Sequence, residues 1–181
     1  MNLETLNKQI IKNCKIYPDA KNVVPGEGNP HAEILFIGEA PGRNEDEQGR
    51  PFVGMAGKLL SELLKSINLD REDVYITNIV KARPPKNRDP KPKEIEFCWP
   101  WLMKQIKIIK PKVIVTLGRH SMKQFLPEAT ITQAHGKKQT ITLPMVGKVT
   151  LFPCYHPAAA LYNGGLRKTL FDDIKKLKKL L

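Results

Sequence analysis

The sequence is short of cysteine, of acidic residues and of long apolar segments. Its three cysteines, Cys14, Cys98 and Cys154, are an odd number at wide spacing. That pattern is a poor disulfide framework, so we expect reduced thiols. No apolar run approaches the ~20 residues of a membrane helix, and residues 1–15 mix Lys and Glu into their apolar positions, unlike a signal peptide. We therefore expect a soluble, intracellular protein of the cytoplasm or nucleoid, with no membrane partner.

The shortage of acidic residues leaves a strongly basic chain. Its 181 residues include 18 Asp and Glu against 30 Lys and Arg, a formal net charge of +12. This excess favours a polyanionic partner, although a lysine-rich surface that is merely solvated would give the same count. The positions of the basic residues must decide between the two. The length suits a single domain, residues 1–181, better than two.

Strand-like and helix-like segments alternate along the chain. Runs of β-branched and aromatic residues predict strands, and apolar residues at helical spacing predict helices. The strand-like runs are 34–37, 74–78, 113–117 and a pair around a turn, 140–143 and 149–152; the main helical segments are 3–14, 56–67, 94–109 and 166–181. This order predicts an α/β fold, a three-layer αβα sandwich with a central, mainly parallel four-stranded sheet.

The loop after the first strand is the most distinctive segment. Gly38-Glu39-Ala40-Pro41-Gly42 follows the strand, Glu45-Asp46 comes next, and Pro51-Phe52-Val53-Gly54 precedes a helix. The Gly and Pro residues favour a tight loop that presents carboxylates, backbone amides and one aromatic ring. Because open α/β sheets bind ligands at the carboxyl ends of their strands, this loop is a candidate active site.

Three further blocks accompany that loop: Tyr75-Ile76-Thr77-Asn78, the basic segment 81–90 and Tyr155-His156-Pro157. In this order and spacing the four blocks resemble the family 4 uracil-DNA glycosylases, over the chain from Cys14 to Lys168. The resemblance implies a DNA repair enzyme, a monofunctional hydrolase that flips uracil out of double- or single-stranded DNA and cleaves its N-glycosidic bond, leaving an abasic site. We expect it to act as a monomer.

The resemblance also implies a pocket for the flipped base. Phe52 would stack on the base, and the amide of Asn78 would match N3–H and O4 of uracil, a pattern that cytosine inverts. His156 would donate a hydrogen bond to O2 as negative charge develops on the leaving base. The substrate-binding residues expected are Gly38, Ala40, Pro41, Phe52, Asn78 and His156.

A carboxylate should stabilise the cationic sugar or orient the attacking water. Glu39 is the first candidate, and Glu45, Asp46 and Asn87 compete with it. The better-known first family of these glycosylases has an Asp one position after the place of Glu39, where this chain has Ala40. Reading the sequence therefore leaves the catalytic set as Glu39, His156, Glu45 and Asn87, with the roles of all but His156 open.

Basic residues concentrate in one Pro-rich loop beside the expected pocket, where they would bind phosphates. The segment 158–167 resembles the part of these enzymes that enters the minor groove, with Leu161 or Tyr162 as a wedge. The DNA-binding residues expected are Lys81, Arg83, Lys86, Arg88, Leu161, Tyr162 and Arg167.

The chain departs from its family at the metal cluster. Family 4 enzymes typically carry a [4Fe–4S] cluster on four cysteines, and here Cys14 and Cys98 match two of them, while Tyr17 and Ala82 stand at the other two positions. A cubane cluster needs four soft ligands, so we expect no metal and no cofactor. If the fold is kept, Cys14 and Cys98 should lie near one another, with Tyr17 or apolar groups filling the vacated space.

Two other functions stay open at this point. The loss of the cluster is compatible with a catalytically weak or inactive nucleic-acid-binding member of the same fold. A glycosylase with altered base choice, for hypoxanthine or a modified uracil, is also possible because a few contacts decide selectivity. A relative that captures DNA covalently through an inserted basic, histidine-containing loop is less favoured, since residues 81–93 contain no His.

Overall fold

A computed structural model describes residues 1–181, and its centre is a single six-stranded sheet. The strands are β1 (Glu27–Gly28), β2 (Ile34–Gly38), β3 (Tyr75–Asn78), β4 (Val113–Leu117), β5 (Gln139–Leu143) and β6 (Gly147–Cys154). Their order across the sheet is β1-β3-β2-β4-β6-β5, and the four inner strands are parallel. The predicted α/β class and mainly parallel sheet are confirmed. Six strands replace the expected four because β1 and β5 add antiparallel edges.

Helices cover both faces of this sheet, as a three-layer sandwich requires. They are α1 (Leu3–Asn13), α2 (Arg43–Gln48), α3 (Met55–Lys65), α4 (Pro92–Ile109), α5 (Arg119–Lys123), α6 (Ile131–Ala134), α7 (Pro157–Ala160) and α8 (Gly164–Leu177). Side chains alternate along β2, so Ile34 and Phe36 pack with α3 and α8 in one apolar core. Leu35 and Ile37 pack with α1 and α4 in the other.

The parallel register brings the carboxyl ends of the inner strands to one edge of the sheet. Gly38 at the end of β2 pairs with Asn78 at the end of β3. Leu117 at the end of β4 pairs with Cys154 at the end of β6. The loops that follow these strands therefore meet at that edge, where ligands bind in folds of this kind.

The edge strand β1 is only two residues long, yet its position is tightly defined. Glu27 pairs with Ile76, and Gly28 pairs with Tyr75. Gly28 has a φ of +123°, and a Cβ placed on it would lie 1.9 Å from the Val74 carbonyl oxygen. Only glycine allows the backbone to approach β3 this closely.

Helix α4 contains Pro100, a residue type that commonly bends or ends a helix. The structure shows one helix from Pro92 to Ile109. Its Cys98, Leu102 and Ile106 are fully buried and form the side of the second core. None of the helices is both long and apolar enough to cross a membrane.

Candidate active site

A cavity of about 180 Å³ opens at the carboxyl edge of the sheet. Its size suits one flat ring rather than a drug-sized ligand, for which ~300–1,000 Å³ is usual. Loops after β2, β3 and β6 contribute to it. The lining residues are Ala40, Gly42, Glu45, Phe52, Ala56, Asn78 and His156.

Gly38 lies where the Asn78 and Phe52 side chains approach one another. A Cβ at position 38 would lie 2.4 Å from the Asn78 Oδ1 atom and 2.7 Å from the Phe52 Cζ atom. Glycine is therefore required so that an amide and an aromatic ring can meet beside the cavity. Pro41 is buried behind the loop and does not line the cavity, so its contribution is to shape the chain between Ala40 and Gly42.

Phe52 and His156 face one another across the cavity. Their ring centroids are 5.6 Å apart, with an angle of 26° between the ring planes. Phe52 is 6% exposed and has a φ of +50°. Its carbonyl oxygen accepts a hydrogen bond of 2.8 Å from Arg71 Nη1. This residue, expected to be the stacking platform, therefore presents its ring from a rigid, externally braced turn.

The imidazole of His156 has a defined tautomer. Its Nδ1 atom accepts a hydrogen bond of 3.0 Å from the Ala158 backbone N–H, so the proton of the neutral ring is on Nε2. Burial lowers the pKa of His156 to about 4. At neutral pH His156 is thus an uncharged hydrogen-bond donor.

Glu45 lines the same cavity, but one of its two carboxylate oxygens is bound by backbone N–H groups. Its Oε1 atom accepts hydrogen bonds from the N–H groups of Val53 (2.9 Å) and Gly54 (3.0 Å) at the start of α3. This ties α2 to the turn that carries Phe52. Asp46, in contrast, is buried and accepts a hydrogen bond from the Asn22 N–H at 3.0 Å, so it anchors the loop from behind.

Glu39 borders a second cavity of about 280 Å³, and His156 lines both this cavity and the first. The Glu39 Oε2 atom lies 3.6 Å from His120 Nε2, and the same nitrogen lies 3.6 Å from Asp89 Oδ2. Burial raises the pKa of Glu39; nearby Asp89 raises it further, while His120 opposes the rise. Glu39, Asp89 and His120 each offer one ligand atom, and these atoms lie within 4.8 Å of one another, as the ligands of a divalent cation would.

Asn87, one of the catalytic candidates expected from the sequence, does not line either cavity. It is exposed in the loop after β3 and has a φ of +56°. Its Oδ1 atom accepts a hydrogen bond of 2.7 Å from Arg83 Nε. This contact holds the side chain within its own turn, so Asn87 orders the loop.

Lys81 was expected to bind DNA, and the structure corrects this assignment. Its side chain is fully buried. The Nζ atom donates hydrogen bonds to Thr77 Oγ1 (2.7 Å), the Asn78 carbonyl (2.7 Å) and Gln105 Oε1 (2.8 Å). Burial lowers the pKa of Lys81 to about 7, while the three oxygens match the three donors of an ammonium group. Lys81 supports the strand that ends at Asn78 and cannot reach a phosphate.

Arg88 is also committed to the protein itself rather than free for phosphate. Its guanidinium donates to both carboxylate oxygens of Glu94, at 2.7 and 2.9 Å, and lies 5.6 Å from the Tyr17 ring centroid. Lys86, by comparison, is exposed at the tip of the same loop. Arg83 is partly exposed and is engaged by Asn87 through Nε alone.

The segment after His156 presents one large side chain to solvent. Tyr162 is 89% exposed, whereas the neighbouring Leu161 packs against the core that contains α3 and α8. Arg167 pairs with Glu62 and lies over the ring of Phe171 at 5.5 Å. Of the two expected wedge residues, Tyr162 is the more exposed.

The four positions linked to a metal cluster lie together on the α1 and α4 side of the sheet. Cys14 and Cys98 are fully buried, and the neighbouring Cys14 thiol lowers the pKa of Cys98. Tyr17 is 5% exposed and donates a hydrogen bond of 2.8 Å to Glu94, and Ala82 is completely buried. Two thiols, an engaged phenol and a methyl group do not fit a [4Fe–4S] cluster. Cys154 belongs to the opposite core.

Four residues of this region carried no recognised signal in the sequence. Arg71 and Glu27 brace the Phe52 turn, and His120 and Asp89 surround Glu39. None of these four residues belongs to a recognisable local sequence motif, so their contacts are visible only in the tertiary structure.

Comparison with known proteins gives a consistent result. A family model described as the uracil DNA glycosylase superfamily matches residues 25–177. The type-4 uracil-DNA glycosylase of Sulfurisphaera tokodaii is 52% identical over 98% of this chain and 84% of its own length. The type-4 enzymes of Saccharolobus solfataricus (50% identical, 99% of this chain, 87% of the relative) and Archaeoglobus fulgidus (49%, 93% and 87%) are similar over nearly the same extent.

Proposed function

Because this chain belongs to the uracil DNA glycosylase superfamily, we propose that it is a type-4 uracil-DNA glycosylase that removes uracil from DNA in base excision repair. The observation that carries the proposal is the cavity in which Phe52, Asn78 and a neutral His156 converge. An aromatic ring, an amide and a neutral imidazole are the groups needed to stack, read and release a flipped pyrimidine.

Recognition of the base depends on Asn78 and Phe52. The Asn78 amide supplies an acceptor for N3–H and a donor for O4 of uracil, and its backbone is fixed by pairing with Gly38 and by Lys81. Cytosine presents the inverse pattern and would leave buried polar atoms unpaired, which rejects it strongly. The Phe52 ring supplies the stacking surface.

Departure of the base depends on His156. As the bond between N1 and C1′ breaks, negative charge develops on the uracil oxygens. The Nε2–H of the neutral imidazole donates a hydrogen bond to O2 and keeps its proton. With a pKa of about 4, the ring carries no second proton at neutral pH that it could transfer to the base. The hydrogen bond from Ala158 keeps this tautomer in place.

The sugar becomes cationic as the base leaves, and a carboxylate should face it. Glu39 borders the second cavity, which shares His156 with the first, and neither of its oxygens accepts a hydrogen bond from the backbone, whereas one oxygen of Glu45 accepts from Val53 and Gly54. We assign Glu39 to cation stabilisation or water orientation and Glu45 to holding the Phe52 turn.

Contact with DNA follows from the exposed side chains around the cavities. Tyr162 is placed to enter the space left by the flipped nucleotide, and Lys86 with Arg83 presents positive charge to the phosphate backbone. We propose that the protein acts as a monomer on uracil-containing DNA, in double or single strands.

Single-turnover excision tests the function. Oligonucleotides with uracil opposite guanine, opposite adenine and in single strands are incubated with excess protein, and abasic sites are cleaved with alkali. We expect release from all three, and His156→Ala should slow it by about 10²- to 10³-fold, the usual cost of one such donor. Binding without release by the wild type would favour the inactive binding protein, and release of hypoxanthine alone would favour altered base choice.

We further propose that the protein works without an iron–sulfur cluster. The Glu94 carboxylate supports this, because it joins three segments that a cluster would otherwise join: it accepts hydrogen bonds from Tyr17, Arg88 and the Lys91 N–H. The bond from Arg88 is the main reason why the pKa of Glu94 is lowered to about 2. Iron analysis and a visible spectrum of anaerobically purified protein test this, and stoichiometric iron with broad absorbance would contradict it.

A further inference from the structure

The Phe52 turn adopts a backbone conformation that it would not choose alone. A φ of +50° lies in the left-handed region, which a bulky residue adopts only when its surroundings impose it. Helix α3 packs directly against the turn: a Cβ on Gly57 would lie 1.7 Å from the Phe52 carbonyl oxygen. Some contact must hold this conformation against its tendency to relax.

Arg71 makes that contact. Its Nη1 atom donates to the Phe52 carbonyl at 2.8 Å, and its Nη2 atom donates to the Pro51 carbonyl at 2.7 Å. One planar guanidinium thus binds two successive carbonyls of the turn. The side chain is 19% exposed, so solvent competes little for these hydrogen bonds.

Glu27 fixes Arg71 in turn. Its Oε1 atom accepts a hydrogen bond of 2.7 Å from Arg71 Nη2, and Arg50 pairs with the same carboxylate from the solvent side. Glu27 lies on β1, which is locked to β3 by the close approach at Gly28. Strand β3 ends at Asn78. The chain of contacts therefore runs from the strand that carries the reading amide to the turn that carries the stacking ring.

We propose that Arg71, held by Glu27, is a positioning residue for uracil excision. It keeps the Phe52 ring at a fixed distance from Asn78 and His156, so that a flipped base is seated in the orientation that cleavage requires. Neither residue touches the substrate. The inference rests on the proposed function, because it concerns the same cavity.

A matched pair of variants tests the proposal. Arg71→Met and Arg50→Met each remove one charge and one ion pair with Glu27, but only the Arg71 side chain donates to the Pro51 and Phe52 carbonyls; the Arg50 side chain is exposed and donates to Glu27 alone. We expect Arg71→Met to lower the maximal single-turnover rate on uracil-containing duplex by about 10- to 100-fold, the cost of an ångström-scale misplacement. Its affinity for an abasic-site duplex should stay at the wild-type value. Arg50→Met should excise at the wild-type rate.

Further readouts separate positioning from simple loss of folding. Active-site titration with abasic DNA counts folded molecules, and a 2-aminopurine placed beside uracil reports base flipping, which should be unchanged in Arg71→Met. Arg71→Lys should recover part of the rate, since an ammonium can reach one carbonyl but lacks the planar fork. Should Arg71→Met not fold, Glu27→Gln provides the milder loss in the same direction.

Several outcomes would overturn the inference. They are a wild-type maximal rate in Arg71→Met, an equal drop in Arg50→Met, or a drop explained entirely by the titrated fraction of folded protein. Absence of uracil release by the wild type would instead remove the proposed function, and it is measured first.

Discussion

Replacing Lys81 by methionine tests whether this side chain binds DNA with the basic loop or stabilises the protein interior. Methionine keeps much of the apolar length of lysine and removes the three donors. Thr77 Oγ1, the Asn78 carbonyl and Gln105 Oε1 would each lose a hydrogen bond of 2.7 to 2.8 Å inside the protein. The nearby Lys86→Met, which removes an exposed positive charge from the same loop, is the matched control.

The cost of Lys81→Met follows from the oxygens left behind. An unsatisfied buried acceptor costs about 1–3 kcal/mol, although Thr77 keeps its donation to the Pro25 carbonyl and release of a buried ammonium offsets part of the loss. We expect the free energy of unfolding to fall by about 2–4 kcal/mol. For a chain of this length that lowers Tm by about 4–16 °C. Lys86→Met should leave Tm unchanged.

DNA binding should show the opposite pattern. Each phosphate contact contributes about 0.9 to the slope of log K against log salt concentration for duplex DNA. Titration with a fluorescent duplex at several salt concentrations should give the wild-type slope for Lys81→Met and a slope smaller by about 0.9 for Lys86→Met. A wild-type Tm together with a reduced slope in Lys81→Met would refute the burial argument.

Three further predictions concern the cavities. Gly38→Ala should lower excision by at least about 100-fold while leaving DNA binding intact, because its Cβ would displace Asn78 and Phe52; normal excision by this variant would show that the base binds elsewhere. The single-turnover rate should fall as pH falls through the raised pKa of Glu39, above the ordinary value of 4.5, because protonation removes the negative charge that we propose faces the sugar, while His156 stays neutral down to about pH 4. Glu39→Gln should abolish this acidic limb along with most of the rate, and an unchanged limb would assign it to another group. Tyr162→Ala should weaken binding to uracil-containing DNA by about 1–3 kcal/mol, the cost of one base–aromatic contact; unchanged affinity in a gel-shift titration would remove the wedge.

Sequence patterns predicted the parts of this fold that depend on short-range order. The four inner strands were recognisable because β-branched runs between helices leave little alternative, and their parallel order places the loops after β2, β3 and β6 at one edge. The family resemblance of the motifs in those loops then implied that Phe52, Asn78 and His156 would line one pocket. The structure places all three around one cavity.

Other features could not be read because they depend on distant partners. Strand β1 has two residues and exists through the close approach of Gly28 to Val74. A lysine contributes the same charge to a sequence whether it is exposed or buried, so Lys81 was indistinguishable from Lys86 until its three acceptors were known. Arg71 became visible only when its guanidinium was seen at two carbonyls 19 and 20 residues away.

The face-to-face arrangement of Phe52 and His156 has a consequence for turnover. The two rings lie with their centroids 5.6 Å apart in the structure, and little further ordering is needed when a base binds between the surrounding loops. In the proposed function, Phe52 and Asn78 contact the base and not the sugar. They would therefore also bind free uracil after the bond is broken. The protein should therefore be inhibited by its own released base, and the departure of uracil, rather than cleavage, would then limit repeated cycles.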